Sequence, residues 1–211
     1  MKKFLVAPCL ALLIGFMSFA VPASAQNIDA STPDALVRTL TNDVMNSVKS
    51  DSSIQSGDVN RITQLVNTHI LPYSDFERTT RQAMGRYWAQ ATPQQQAQIT
   101  TQFKMMLIRT YAGAIAQIRN QQVQFRPYRG APTDQEATVQ TVVQNQGQPI
   151  ELDYRLEKTA GGWKVYDLNV GGFWLVQAYR QQFSEQIAQN GVAGLLTFLT
   201  QRNEQLSASG K

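Results

Sequence analysis

The chain has 211 residues, 16% of them charged, a formal net charge of +4 and one cysteine, Cys9. That length suits a single domain with a sizeable core. Its Lys and Arg residues are scattered and do not interleave with aromatics, which excludes a nucleic-acid partner. After residue 25 there is no cysteine and one histidine, His69, which excludes disulfides, thiolate nucleophiles and most histidine-based chemistry.

Met1-Lys2-Lys3 followed by an apolar run from Phe4 to Val21 and by Ala23-Ser24-Ala25 has the layout of a secretory signal peptide. Cleavage is expected after Ala25, leaving residues 26–211 as one exported domain, periplasmic in a bacterium with two membranes. Cys9 lies early in the apolar run, which does not fit a lipoprotein. No later segment approaches the roughly 18 apolar residues of a spanning helix. Residues 26–31 and 207–211 read as loose ends.

Thr32-Pro33 predicts the start of a first helix, with Leu36, Leu40, Val44 and Val48 stacked four apart. A second helix is predicted from Asp58 to Leu71, ended by Pro72. Ser74 to Glu77 has capping-box spacing and predicts a third helix, with Phe76, Met84, Tyr87 and Trp88 inward. Thr92-Pro93-Gln94-Gln95 predicts a second capping box. The long helix after it carries Phe103, Met106, Leu107, Tyr111, Ala114 and Ile118 on one side.

The apolar period then drops from 3.6 to 2. Four strands are predicted: around Val123 and Phe125, from Ala137 to Val143, from Ile150 to Glu157, and from Trp163 to Val170. The turns between them hold Gly130, Gly147 and Gly161-Gly162. Short turns between alternating strands predict an antiparallel meander with one dry and one wet face. Two more helices follow Gly171-Gly172, one through Val176, Tyr179, Phe183 and Ile187, the other after Gly191 through Leu199. The expected fold is α+β: a four-stranded meander with about six helices on one face, enclosing an apolar pocket.

Chemistry is sparse. His69 lies close to an apolar stripe and reads as a hydrogen-bonded packing residue. No cluster supplies the three or four ligands of a metal site, and there is no phosphate-binding glycine loop of nucleotide enzymes. Asp153 falls on the polar parity of its strand, so solvent is its expected surrounding. Asp167 shares parity with Trp163 and Val165, which would point it inward. A cone-fold isomerase or dehydratase pairing Asp167 with a tyrosine is therefore one reading. A structural carboxylate pairing with an arginine or capping a turn is the other. Gly171-Gly172 would leave bare backbone N–H groups near a helix start, a possible phosphate site, or would simply make a turn. A groove offered to unfolded peptides is a further reading.

Several stretches together resemble the MlaC, or toluene-tolerance auxiliary, family. They are Leu71-Pro72-Tyr73-Ser74-Asp75-Phe76, Met84-Gly85-Arg86-Tyr87-Trp88, Ala91-Thr92-Pro93-Gln94-Gln95, Thr110-Tyr111, Trp163-Lys164-Val165-Tyr166-Asp167-Leu168 and Tyr179-Arg180-Gln181-Gln182-Phe183. The resemblance spans roughly residues 35–205. The turn Gly171-Gly172-Phe173-Trp174 departs from the family's smaller residues there, which would reshape that side of a pocket. The resemblance implies a monomeric periplasmic carrier, not an enzyme, without cofactor or metal. It would move glycerophospholipid between an outer-membrane lipoprotein–porin complex and an inner-membrane ABC transporter complex, keeping the outer membrane asymmetric. Acyl chains would then lie between Val139, Val143, Leu152, Tyr154 and Val165 of the sheet and Met84, Trp88, Met106, Leu107, Tyr111, Val176 and Tyr179 of the helices. The headgroup would sit near the mouth, with Gly171 and Gly172 as the candidate phosphate contacts.

Overall fold

The computed structural model describes residues 28–145 and 147–208. The leader and its cleavage point lie outside the described residues.

Helices start where the sequence supplies caps. Helix α1, Pro33–Ser50, begins at Thr32, whose hydroxyl accepts the Ala35 amide. Pro33 takes the first helical position, where the missing N–H breaks nothing. Asp51 caps α2, the single turn Ser52–Gln55, and Asp58 caps α3, Val59–Leu65. The helix expected to reach Leu71 instead widens to a π turn over Val66–Ile70 and tightens to a 3-10 turn over Leu71–Tyr73. Pro72, which has no amide to donate, rules out a regular α-helix through this point.

Helix α4, Phe76–Met84, is capped by Asp75 rather than Ser74. Asp75 Oδ1 accepts the Arg78 amide at 2.8 Å, and Ser74 Oγ donates back to Ile70 O. A 3-10 run over Gly85–Gln90 leads to α5, Pro93–Ala116. Its capping box is complete: Thr92 Oγ1 accepts the Gln95 amide, and Gln95 Oε1 accepts the Thr92 amide.

The sheet is the expected antiparallel meander with six strands in place of four: β1 Gln122–Phe125, β2 Glu136–Val139, β3 Thr141–Asn145, β4 Gln148–Thr159, β5 Gly162–Val170 and β6 Phe173–Trp174. Strands β2 and β3 are one line of chain in a common register on β4, with Val139 opposite Tyr154 and Val142 opposite Glu151. The line breaks at Gln140. There the Thr141 amide donates to Asp153 Oδ1 and the Thr141 hydroxyl to Leu152 O, so side chains replace ladder bonds. Strand β6 adds two residues beyond the Gly171-Gly172 turn.

Strand β5 carries a bulge. Arg155 faces Asp167 and Leu156 faces Val165, leaving Tyr166 as an extra residue. After it, the strand's inner and outer positions exchange.

Helix α6, Leu175–Ala208, joins the two expected last helices through one non-helical residue, Gly191, at φ 67° and ψ −176°. Of the ends expected to be loose, Ile28 and Ala30 pack against the cluster joining α1 to the sheet and α6 runs on to Ala208, while residues 26–27 and 209–211 lie outside the described residues.

The apolar interior divides into three clusters. One joins α4, α5 and α6 around Met84, Phe103, Phe183 and Leu199. A second joins α1, α2, α3 and α5 around Val48, Ile62 and Ala112. The third joins the start of α1 to the sheet around Leu36, Val139, Leu156 and Trp163.

Candidate functional site

The inner face of the sheet follows from pairing, because opposed residues share a face. Val123 and Phe125 on β1 face Val143 and Thr141, and Leu152, Tyr154 and Leu156 on β4 face Val170, Leu168 and Val165 on β5. This is the dry side anticipated from alternation. Leu168 and Val170 join it only because of the bulge at Tyr166. The signal was legible: apolar residues move from odd positions (163, 165) to even ones (166, 168, 170).

Not all of this face is filled. Leu156 and Val139 are sealed, while Tyr154, Leu152 and Val143 keep accessible surface. Tyr154 is decisive. Burial pushes its hydroxyl from 10.0 up to about 12, Thr41 of α1 offsets part of this by hydrogen bonding, and the Asp153 charge adds to it. Tyr154 is thus closely surrounded, packing against the third cluster, while it keeps some accessible surface. Tyr179 on α6 has the same character: it is only partly buried, yet burial raises its pKa to about 12, with Tyr111 nearby contributing to the rise.

Helix α5 also carries apolar side chains that are only partly buried. Successive residues turn by about 100° around a helix, so Leu107 and Tyr111 share a strip between two packed flanks. Phe103 and Met106 pack into the first cluster, Ile108 and Ala112 into the second. Leu107 and Tyr111 remain partly buried, and burial raises the Tyr111 pKa. Tyr179 lies edge-on to Phe103, with ring centroids 4.9 Å apart.

The residues expected to line a pocket therefore separate into two groups. Trp88, Leu107, Tyr111, Val143, Leu152, Tyr154 and Tyr179 keep accessible surface. Met84, Met106, Val139, Val165 and Val176 are packed core with almost none. Leu168 and Val170 also fall on the inner face, and Thr41 of α1 hydrogen-bonds Tyr154.

The outer face is polar. Asp167, 3% exposed, points here and not inward, because the bulge reverses its parity. Its Oδ1 accepts the Leu168 amide at 2.9 Å and the Val176 amide at 3.0 Å, and Arg155 Nη1 donates to Oδ2 at 3.3 Å. Burial raises its pKa, while both amides and Arg155 oppose the rise. It is thus the structural carboxylate of the two readings, capping the start of α6. Asp153 is buried rather than solvated, accepting the Thr141 amide. Arg155 stacks 3.7 Å from the Trp174 ring, and Arg78 stacks 3.8 Å from Tyr166 while pairing with Glu157 and Glu136. An open cleft of about 460 Å³ lies beside the β2 edge, between Arg126–Gly130 and the side chains of Thr138 and Gln140. Those two side chains belong to the outer face, so this cleft lies on the opposite side of the sheet from Tyr154.

Gly171 and Gly172 do not offer the bare amides expected of them. Gly171 N donates to Glu151 O and Gly172 N to Asn169 Oδ1, each at 2.8 Å. Their φ angles of 59° and 92° belong to a tight strand turn, and neither amide is left for a phosphate. His69 Nδ1 lies 2.6 Å from Asp43 Oδ2, the hydrogen-bonded arrangement anticipated for it. Among the described residues, no group of three or more His, Cys, Asp or Glu is placed to hold a metal ion, and no helix is long and apolar enough to cross a membrane.

Comparison with known proteins agrees with this architecture. A toluene tolerance protein, ttg2D, of Pseudomonas putida is 25% identical over 165 residues, covering 78% of this chain and 77% of that protein. The intermembrane phospholipid transport system binding protein MlaC of Haemophilus influenzae is 21% identical over 197 residues, covering 92% of each. A phospholipid-binding protein from Ralstonia solanacearum, solved in complex with a phospholipid, is 48% identical with a TM-score of 0.81, covering 82% of this chain and 98% of that one. The family model described as MlaC protein matches residues 38–201. With most of its length matched, this chain belongs to the MlaC family.

Proposed function

We propose that this protein is a periplasmic phospholipid carrier, not an enzyme, that takes glycerophospholipid between an outer-membrane lipoprotein–porin complex and an inner-membrane ABC transporter complex. Its acyl chains occupy a slot between the inner face of the sheet and the exposed strips of α5 and α6. Leu107, Tyr111 and Tyr179 form one wall; Val143, Leu152 and Tyr154 form the other, with Leu168 and Val170 beside them.

The observation that carries this reading is the pair of deep tyrosines with free surface, Tyr154 and Tyr179. The phospholipid held by the 48% identical relative supports the same cargo here.

The energetics fit. Each methylene in water costs about 0.8 kcal/mol, so two acyl chains exposed together cost on the order of 20 kcal/mol. A dry slot offsets that cost without having to exceed the bilayer, where the chains are already dry. Near-equal affinity for slot and membrane permits both loading and release, and direction then comes from the partner complexes. The phosphate stays at the mouth, because burying an unpaired charge is too costly.

Mass spectrometry of protein purified without detergent tests the reading. Phospholipid should copurify with the wild type, and Val143→Glu and Leu107→Trp should lose it while circular dichroism stays native. Lipid-free wild-type protein, or full loading of both variants, would refute the slot.

A further inference from the structure

Along β4 the inner-face side chains lose cover step by step. Leu156 is 0% exposed, Tyr154 and Leu152 are partly buried, and Ile150 is 36% exposed. The inner face therefore opens toward the β3–β4 hairpin. At that end Val143 stands opposite Ile150, and Val170 stands opposite Leu152. Beyond Val170 the chain reverses at Gly171-Gly172, and the residue returning opposite Val170 is Phe173. Opposed residues share a face, so Phe173 belongs to the inner side. Trp174, opposite Asn169, takes the outer side and stacks on Arg155, as alternation requires.

Phe173 is 75% exposed. Among the described residues, Phe173 and Ile150 are the large apolar side chains that stand exposed, and both sit at the open end of one face. The fold does not require them to be apolar. The turn is made by the backbone of two positive-φ glycines, and a two-residue strand pairs through its main chain whatever its side chain. Single exposed apolar side chains are ordinary on a protein surface; these two are set apart because both stand at the open end of the same inner face.

We propose that Phe173 and Ile150 form an apolar lip at the mouth of the slot, across which phospholipid acyl chains enter and leave. This rests on the carrier reading above. A chain moving between bilayer and slot must cross a gap where its methylenes would meet water. A lip that covers the crossing methylenes lowers the barrier in both directions by the same amount. It therefore sets the rate of exchange and leaves the equilibrium occupancy alone.

The test is exchange of pyrene-labelled phosphatidylglycerol between the mature protein and vesicles of phosphatidylethanolamine and phosphatidylglycerol. Phe173→Ala should slow pick-up and delivery equally, by about tenfold, with Phe173→Asp slower still and Phe173→Leu slowed least. The share of protein carrying lipid at equilibrium should stay at the wild-type level. Ile150→Ser, on a different strand, should slow exchange in the same way and provides an independent reading if a change at 173 disturbs the turn. Exchange within about twofold of wild type for both Phe173→Asp and Ile150→Ser overturns the lip. So does a fall in equilibrium occupancy that matches the fall in rate, which would make Phe173 part of the slot wall. A wild-type protein that neither carries nor exchanges phospholipid refutes the carrier reading instead, and is seen before any variant is made.

Discussion

The Asp167 carboxylate serves the Val176 and Leu168 amides and the Arg155 guanidinium at once, which leaves it a structural task. Asp167→Asn keeps an oxygen for the Val176 amide and should stay within about 1 kcal/mol of wild type in urea unfolding, whereas Asp167→Ala should lose about 1–2 kcal/mol. Neither should alter phospholipid exchange; a well-folded Asp167→Asn protein that had lost its cellular function would revive an acid–base role. Tyr154 and Tyr179 make a second residue-level case. Burial holds their folded pKa at about 12 against an ordinary 10.0, so the folded protein retains protons that the unfolded chain releases. Their contribution is complete below pH 10 and is lost as the pH rises to about 12. Denaturant midpoints measured across that range should fall, and Tyr154→Phe, which cannot ionise, should flatten the fall.

At the scale of elements, single residues that interrupt a regular pattern decide where the walls stand. The bulge at Tyr166 moves Leu168 and Val170 to the inner face and Asp167 to the outer one. Gly191 folds α6 so that Phe183 and Ile187 on one arm and Leu195 and Leu199 on the other enter a single cluster. Its φ of 67° with ψ of −176° is a region that residues with a Cβ avoid, although the space around it is open, with nothing within 4 Å of an added Cβ. Gly191→Ala should therefore cost backbone strain alone, about 1–3 kcal/mol, read from the urea midpoint. A neutral result would mean that the kink relaxes freely.

Across the whole molecule, the apolar interior forms three clusters, each with half-covered side chains packed against it, such as Leu107 and Tyr179 on the first and Tyr154 and Leu168 on the third. On the proposed carrier function, phospholipid would bind only the folded state, so it should stabilise the fold by mass action. Protein stripped of lipid should unfold at a lower temperature in calorimetry, and readdition of phospholipid from vesicles should restore the transition; an unchanged transition would argue that the cargo lies outside the core. The α+β class, the meander, the caps at Thr32 and Thr92 and the dry parity of β4 were all legible in the sequence, because each depends on neighbours within one element. Pro72 showed where the second helix must stop being regular, though not the π turn that precedes it. The inward strip of α5 could be read as apolar, but its division into sealed Phe103 and Met106 and half-covered Leu107 and Tyr111 could not. That division depends on which other elements reach each side of the helix. The graded exposure along the inner face, from sealed Leu156 to exposed Ile150, is likewise a product of the tertiary arrangement. Local periodicity states that a side chain avoids water; only the positions of the surrounding elements determine whether protein or cargo covers it.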